Sequence, residues 1–600
     1  HDNIYRIMGT VYGEVDIWKG FRFRSSLSGN LQFTENNSFS PSFLSTRNEA
    51  SGSEYHYKYS KTVFDNTLNY NYEFNKHHVL DAVAGISFER GISRSTRMNS
   101  QTYPDNDIYT NLGSAASISS WGNGYNASGL FSSFARINYK LMERYLFTFT
   151  GRYDGSSMFG SNNRYGFFPS GAIAWRISQE KFMKNLTFIN DLKLRASVGT
   201  TGTQNLTSFS NRDLYEATSY NNLSAIIHKQ VGNRDIRWEK STQYDLGLDF
   251  ALFDYRLTGS ISGYIKDTKD LIWSFDFPPS ATGGSMQMNR NIGALTNRGI
   301  EINLVGRVLS TKDWSLDLTL NMSHNKNKVT RLVEEGKAQS AMDVVVQGSY
   351  ADQVLAVGYP MGAFHGYEYA GIIQDQARID ELNAYAKSKG QSYYDGNSLK
   401  PGHLEIKDLN GDGIINYNDR VIIGNPDPDL FGGLTANLSY KQFSLFANFG
   451  YQIGGLKIYN KTLQNLPGQL TGLIDYGLND RWSDTNKDAK YPALYIGDGV
   501  PRLTDHELFD ASFFRLQEVR LTYNLPLNKV IKGQLFISAT NLFTITSYPG
   551  TDPATVNSNS NYGGNYETSA YPGFRSFSAG LKINLSLIPQ HYSLTLFISA

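Results

Sequence analysis

Cysteine is absent from all 600 residues, which excludes disulfides and thiolate metal sites and permits, without indicating, an oxidising compartment. No run of about 18 apolar residues occurs, so no transmembrane helix is expected. An excess of one charge is missing too. Lys and Arg number 56 against 55 Asp and Glu, and a net charge of +1 gives no electrostatic case for a nucleic-acid partner. Charged residues make up only 18%, and the 17 prolines are far outnumbered by 55 glycines, as expected where glycine serves turns and sheet corners. Aromatic residues, in contrast, reach 14%, with 39 tyrosines. A chain this long would ordinarily suggest several soluble domains, but the composition argues otherwise.

Apolar and polar residues alternate along most of the chain. Phe131, Ala135, Ile137 and Tyr139 share one parity, with Ser132, Arg136, Asn138 and Lys140 on the other. After a tight reversal at Leu141–Arg144, Tyr145, Phe147, Phe149 and Tyr153 alternate with Thr148, Thr150, Arg152 and Asp154. Leu192, Leu194, Ala196 and Val198 then alternate with Asp191, Lys193, Arg195 and Ser197. Successive strand side chains point to opposite faces, so the pattern describes sheets with one greasy and one wet surface. The same signature recurs at Tyr55–Phe74, Val79–Phe88, Tyr255–Lys266, Trp314–Met322, Leu434–Tyr440, Phe443–Ile453, Phe513–Tyr523, Leu535–Leu542 and Phe574–Leu585. It amounts to roughly 17 strands, many of about 10 residues or more, as a tilted bilayer-crossing strand requires.

Connections alternate in length. Asn75–His78, Leu141–Arg144, Phe253–Asp254, Thr311–Lys312 and Lys441–Gln442 are short. Between them lie long polar loops at Ser38–Gly52, Ser95–Asn126, Gly202–Ala225, Asn325–Leu430, Gly455–Asp510 and Thr546–Pro572. Short turns at one rim and long loops at the other predict an all-β, antiparallel transmembrane β-barrel whose greasy face meets outer-membrane lipid. Tyr139, Tyr145, Tyr153, Tyr255, Tyr440 and Tyr523 fall near strand ends, where an interfacial girdle would sit. A soluble sandwich would need shorter, more evenly spaced strands and a second sheet against the apolar parity. His1 opens directly into the strand-like run IYRIMGTVYGEV with no signal peptide before it, so the expectation is that these residues are part of a longer chain.

The ordered motifs RYDGSSMFG, RYGFFPSGAIAWRISQEKF and LKLRASVGTTG, then VGNRDIRWEKSTQYDLGLDF, GYIKDTKDLIW and NIGALTNRGIEINL, resemble SusC/RagA-type TonB-linked outer-membrane transporters. DLNGDGIINYNDRVIIGNPDPDLFGGL, DASFFRLQEVRLTYNLP and SATNLFTITSYPGTDP continue the resemblance, which covers Tyr5 to Leu585. It implies a 22-stranded barrel of a Gram-negative, bacteroidete-type cell, filled by an N-terminal plug. It further implies a SusD-like surface lipoprotein as lid, energy from TonB–ExbB–ExbD, and oligosaccharide or peptide cargo. Plug, TonB box and roughly five strands are absent from this stretch, and a 17-strand piece cannot close without exposing two edges. Residues 1–585 are therefore read as the C-terminal part of such a barrel. The resemblance leaves 586–600 (SLIPQHYSLTLFISA from Ser586) as an unexplained extension.

One motif carries chemistry. Within the longest loop, 325–430, residues 408–419 fit a twelve-position calcium loop. Its oxygens would come from Asp408, Asn410, Asp412, the Ile414 carbonyl, Asn416 and Asp419, with Gly413 at the sharp turn and Ile415 at the apolar position. Hard oxygen donors suit Ca2+ better than zinc or copper. Asp419 stands where a helix–loop–helix site usually has Glu, and the preceding GHLEIKDLN reads as extended. The plainer alternative is an Asx/Gly turn that binds nothing.

Other candidates are weaker. Gly199-Thr-Thr-Gly-Thr lacks the lysine of a phosphate loop and reads as a turn. His77-His78 reads as a solvated turn, and Gln376–Lys389 as one amphipathic helix. Trp121 and Trp482 are candidates for stacking on a ligand or lid, with loop packing as the alternative. The Asn-rich NSNSNYGGNY run could bind sugar. No catalytic grouping stands out, so no enzyme is expected. Arg136, Arg152, Arg195, Arg256 and Lys266 would line the lumen. The leading expectation is active import of a large nutrient. The rivals are a passive porin or adhesin, and a soluble calcium-stabilised glycan-binding protein.

Overall fold

The computed structural model describes residues 2–599 except 45–48, 105–107, 222, 278–279, 281–285, 333–344, 348–352, 395–398, 460–479, 494–502, 527–530, 556–565, 568–572 and 588–589. An 18-stranded sheet dominates. Its strands are β1 (Asp2–Trp18), β2 (Phe21–Ser40), β3 (Ser51–Asn75), β4 (His78–Gln101), β5 (Ser117–Leu141) and β6 (Tyr145–Ser156). They continue as β7 (Tyr165–Arg176), β8 (Ile189–Thr203), β9 (Glu239–Leu252), β10 (Leu257–Lys269), β11 (Ala294–Ser310) and β12 (Trp314–Arg331). The last are β13 (Leu430–Tyr440), β14 (Phe443–Ile453), β15 (Phe513–Leu525), β16 (Ile531–Thr546), β17 (Ser576–Leu587) and β18 (Gln590–Ser599).

Each strand pairs antiparallel with the next, a continuous up-and-down meander. Among the described residues no pairing joins β1 to β18. Connections after odd-numbered strands run two to five residues, except for the 12 residues between β7 and β8, which carry two 3-10 turns. Those after even-numbered strands run to eight or more, so the predicted alternation holds at every connection but that one. The β5–β6 reversal places Met142 and Glu143 at φ of 53° and 58°. Positive φ at both central residues of the Leu141–Arg144 turn, closed by Arg144 N donating to the Leu141 carbonyl at 3.0 Å, supplies the twist that joins the two strands across a three-residue connection. The 586–600 segment, expected as an extension of no assigned role, supplies β18, which pairs with β17 from Leu587–Gln590 to Ser578–Ser599.

The strand pairings join the apolar parities into one surface. Ile137 faces Phe149, Leu248 faces Leu194 and Ile261, and Leu320 faces Leu304 and Leu434. Ile537 faces Leu521. Many residues of this face are bare: Leu246 is 60% and Ile537 59% accessible. So much apolar area left bare along whole strands is a lipid-facing surface. Aromatic pairs mark the short-turn rim, including Phe21–Tyr70 (ring centroids 4.2 Å), Trp314–Tyr440 (4.2 Å) and Phe443–Tyr523 (4.8 Å). Tyr153–Tyr165, stacked at 5.3 Å, marks the opposite rim.

Two expectations about boundaries are corrected. About half of Ser95–Asn126 is strand, because β4 runs on to Gln101 and β5 starts at Ser117. A 25-residue strand such as β3 or β5 is roughly 80 Å long, far more than a bilayer needs. Beyond the lipid neither face requires apolar residues, and the alternation vanishes while the ladder continues. Gly199–Thr203, expected as a turn, completes β8 for the same reason.

Buried hydrophobic clusters gather at the long-loop rim. Phe159, Phe168, Ile236 and Trp238 form one, with Trp238 4.5 Å from Phe159 and 5.4 Å from Phe168 between ring centroids. The Trp238 Nε1 donates to the Arg164 carbonyl at 3.1 Å. A Cβ at Gly160 would lie 1.9 Å from the Arg234 carbonyl oxygen, so only glycine permits this approach. The MFG and RWEK motifs are thus two halves of one fastener.

Candidate functional site

The inner face of the sheet is polar and internally paired. Arg152 donates to Asp154 (2.8 Å) and Ser132 (2.8 Å), and Lys193 and Arg195 both reach Asp249, at 2.8 and 3.2 Å. Asn138 bridges Asp81 and Thr148, while Thr435, Asn448 and Gln517 form a further chain across β13 to β15. Arg136 and Lys266 occupy the same face, opposite Thr150 and Gln243. Arg256 instead sits at the β9–β10 turn, at the short-turn rim. The cations were legible from alternation. Their carboxylate partners were not, because pairing depends on register. The wall is consequently a hydrophilic lining of matched charges, and not a purely cationic tube.

Above the long-loop rim, the connection from β12 to β13 folds on itself. Helix α1 (Gln376–Ser388) begins at Asp375, whose side chain accepts from Arg378 N at 3.0 Å, and ends one residue short of the predicted Lys389. Its Ile379, Leu382 and Ala386 pack on Tyr393, Tyr394, Ile406 and Ile415. Tyr394 Oη donates to the Leu404 carbonyl at 2.6 Å and accepts from Ile406 N at 3.2 Å. Burial holds this phenol neutral, its pKa well above the usual value.

The 408–419 segment is a tight series of oxygen-centred turns. Asp408 Oδ1 accepts from Gly411 N and Oδ2 from Gly413 N, both at 2.7 Å, and Tyr385 Oη donates to Oδ2 at 3.0 Å. Partial burial opposes ionisation of Asp408, but these donors outweigh it and hold its pKa below the usual carboxylate range. Asn410 Oδ1 accepts from Asp412 N (2.9 Å), Asp412 Oδ1 from Ile414 N (3.0 Å) and Asn416 Oδ1 from Asn418 N (2.8 Å). Gly411 and Gly413 take φ of 72° and 87°, which glycine alone adopts readily. Asp419 is wholly buried and accepts from Leu409 N (3.0 Å) and Asn416 N (2.9 Å). No set of three or more His, Cys, Asp or Glu side chains close enough to share a metal occurs among the described residues. A calcium loop of this composition would instead draw half its ligands from Asn410, Asn416 and the Ile414 carbonyl.

The remaining candidates separate. Trp482 is 7% accessible and its Nε1 donates to Gln374 at 2.9 Å, so it packs the loop beside Ile372 and Leu404 and is not a free stacking surface. Trp121 is exposed but lies within β5, not in a loop. His77 is in the turn as expected, whereas His78 starts β4 and meets Tyr139 Oη at 2.6 Å. The asparagine-rich run lies almost wholly outside the described residues, at 557–565.

A residue cluster that sequence reading missed joins three loop segments. His506 approaches the Glu507 carboxylate (3.3 Å) and the Lys490 carbonyl (2.8 Å), and packs against the Tyr369 ring at 4.8 Å. Thr504 and Glu507 form a capping box around it. The Thr-x-x-Glu spacing was the available signal.

No helix among the described residues is long and apolar enough to cross a membrane. The family described as TonB dependent receptor-like, beta-barrel matches residues 6–402. The TonB-dependent receptor P3 of Formosa agariphila is 32% identical over 595 residues, covering 95% of this chain and 57% of that protein. The TonB-dependent receptor SusC of Bacteroides thetaiotaomicron is 31% identical over 472 residues, covering 76% of this chain and 43% of that protein. The RagAB peptide transporter structure superimposes with a TM-score of 0.79 at 25% identity, over 97% of this chain and 62% of that one. The chain thus spans about half the length of the curated relatives it matches. A lipid-facing antiparallel meander, a polar inner wall and these likenesses agree: the chain belongs to the TonB-dependent receptor-like β-barrel family of outer-membrane proteins.

Proposed function

We propose that this chain is the barrel portion of an energised outer-membrane importer of a large nutrient, an oligosaccharide or a peptide. The observation that carries the reading is a polar, charge-matched inner wall beneath folded long loops, in a chain 32% identical to a TonB-dependent receptor. A polar lumen lets a hydrated solute pass without stripping its hydrogen bonds. Coupling to TonB–ExbB–ExbD and closure by a SusD-like lipoprotein complete the proposed cycle, by analogy with the family. Cells carrying the full-length gene should accumulate labelled cargo, and dissipating the proton gradient should cut accumulation at least tenfold. Uptake that persists unchanged marks a passive pore, and binding without uptake marks an adhesin.

The 408–419 turn is proposed to hold one structural Ca2+ through Asp408, Asn410, Asp412, the Ile414 carbonyl, Asn416 and Asp419. The supporting feature is Asp419, a fully buried carboxylate with two N–H donors, to which a cation would supply compensating charge. Calcium at 100 times its dissociation constant would add about 2.7 kcal/mol. Hydrogen exchange across 376–419 should slow on adding calcium and recover with EDTA. Asp412→Asn keeps the acceptor for Ile414 N and should lose the calcium response. An unchanged exchange rate in the parent protein would show an Asx/Gly turn alone.

A further inference from the structure

The lipid-facing surface of β9 to β12 carries an unusual charge arrangement at its long-loop end. Arg298 on β11 stands directly opposite Lys326 on β12 in the ladder. His324 follows on the same face of β12, opposite Ile300. Two residues further out, Lys328 shares that face, and across β9 and β10 Lys240 stands directly opposite Lys269. Like charges placed directly across a ladder destabilise it. Only one carboxylate, Asp267, lies on this face of the four strands among the described residues, and Thr296 Oγ1 donates to it at 2.6 Å. Arg298 and Lys326 form no ion pair with any described carboxylate.

Directly beneath the cations lies a groove of about 550 Å³, into which Arg298, His324 and Lys326 project beside Tyr244, Leu246, Ile265 and Ile300. Its floor is Gly263, where a Cβ would touch only the Gly299 carbonyl oxygen, at 3.8 Å. The depth places this arrangement in the membrane. Arg298 lies roughly 40 Å along the strand from Ser310 at the short-turn rim, or about 29 Å across the bilayer at the usual tilt. That is where hydrocarbon gives way to headgroups on the long-loop side, the outer leaflet of the outer membrane.

We propose that Arg298, Lys326 and His324 bind the phosphorylated headgroup of an outer-leaflet glycolipid of the lipid A class, with an acyl chain lying in the groove over Gly263. A phosphate bridging Arg298 and Lys326 turns a repulsive pair into two charge-assisted hydrogen bonds. The apolar walls below take the chain, which free phosphate could not use.

The test is native mass spectrometry of the full-length protein in mild detergent, titrated with phosphorylated lipid A, with enzymatically dephosphorylated lipid A and with inorganic phosphate. The parent protein should retain phosphorylated lipid A at least tenfold more strongly than the dephosphorylated form. Arg298→Gln with Lys326→Gln should remove that preference. Gly263→Phe, which fills the groove, should weaken retention of the lipid severalfold. Equal retention of both lipid forms overturns the proposal, as does displacement of the lipid by inorganic phosphate at comparable concentration. If the double variant does not fold, the comparison of the two lipid forms on the parent protein decides alone.

Discussion

Replacing Trp238 by alanine is expected to cost about 3–5 kcal/mol, the range for removing a large buried aromatic. Trp238 is 4% accessible and contacts Phe159 and Phe168. No neighbouring side chain can collapse into so large a space, since the surrounding positions are strand and tight turn. Trp238→Phe keeps most of the packing and loses the donor to the Arg164 carbonyl, at a cost of about 1–3 kcal/mol. Urea unfolding in lipid vesicles measures both. Equal midpoints for the parent and Trp238→Ala would mean that the cluster is not a fastener of the β6–β7 and β8–β9 connections.

Leu320→Arg is expected to destabilise the membrane-inserted protein by about 2–4 kcal/mol, the cost of a cation near the bilayer midplane on a barrel's lipid face. Leu320 sits between Leu304 and Leu434, well inside the apolar band that starts at the Trp314–Tyr440 pair. Thr319→Arg, one residue away on the opposite face, enters a polar wall next to Thr435 and should cost under 1 kcal/mol. The same vesicle titration reads both variants. Similar costs for the two would contradict the assignment of faces.

Legibility in the sequence followed the lipid. Phe443–Ile453 was readable to the residue because one face of it meets hydrocarbon along its length, and so was the Lys441–Gln442 turn. Where strands leave the membrane that constraint ends, and Thr96, Asn99 and Ser100 read as loop while pairing as strand. The turn at Met142-Glu143 carries no Asn-Gly signature; only the alternation on either side revealed it. Side-chain partners depend on register and long-range packing, which a local pattern does not encode. Hence the cations of the inner wall were found and Asp249 was not, and Trp482 was visible as an aromatic but not as a buried one. The oxygen spacing at 408–419 was legible because most of its side-chain oxygens accept from backbone N–H groups within the same segment; the Tyr385 donor to Asp408, 23 residues away, was not.

The central claim is that one parity of the long sheet meets lipid and the other lines an aqueous space. These 600 residues contain no cysteine, so a thiol introduced here is the only one in the stretch. Single cysteines at 316 through 322 along β12, in protein reconstituted into vesicles, can be reacted with a charged maleimide that stays in water. Asp317, Thr319 and Asn321 positions should label, and Leu316, Leu318, Leu320 and Met322 positions should be protected. Labelling that ignores parity, or that favours the leucine positions, would contradict the account.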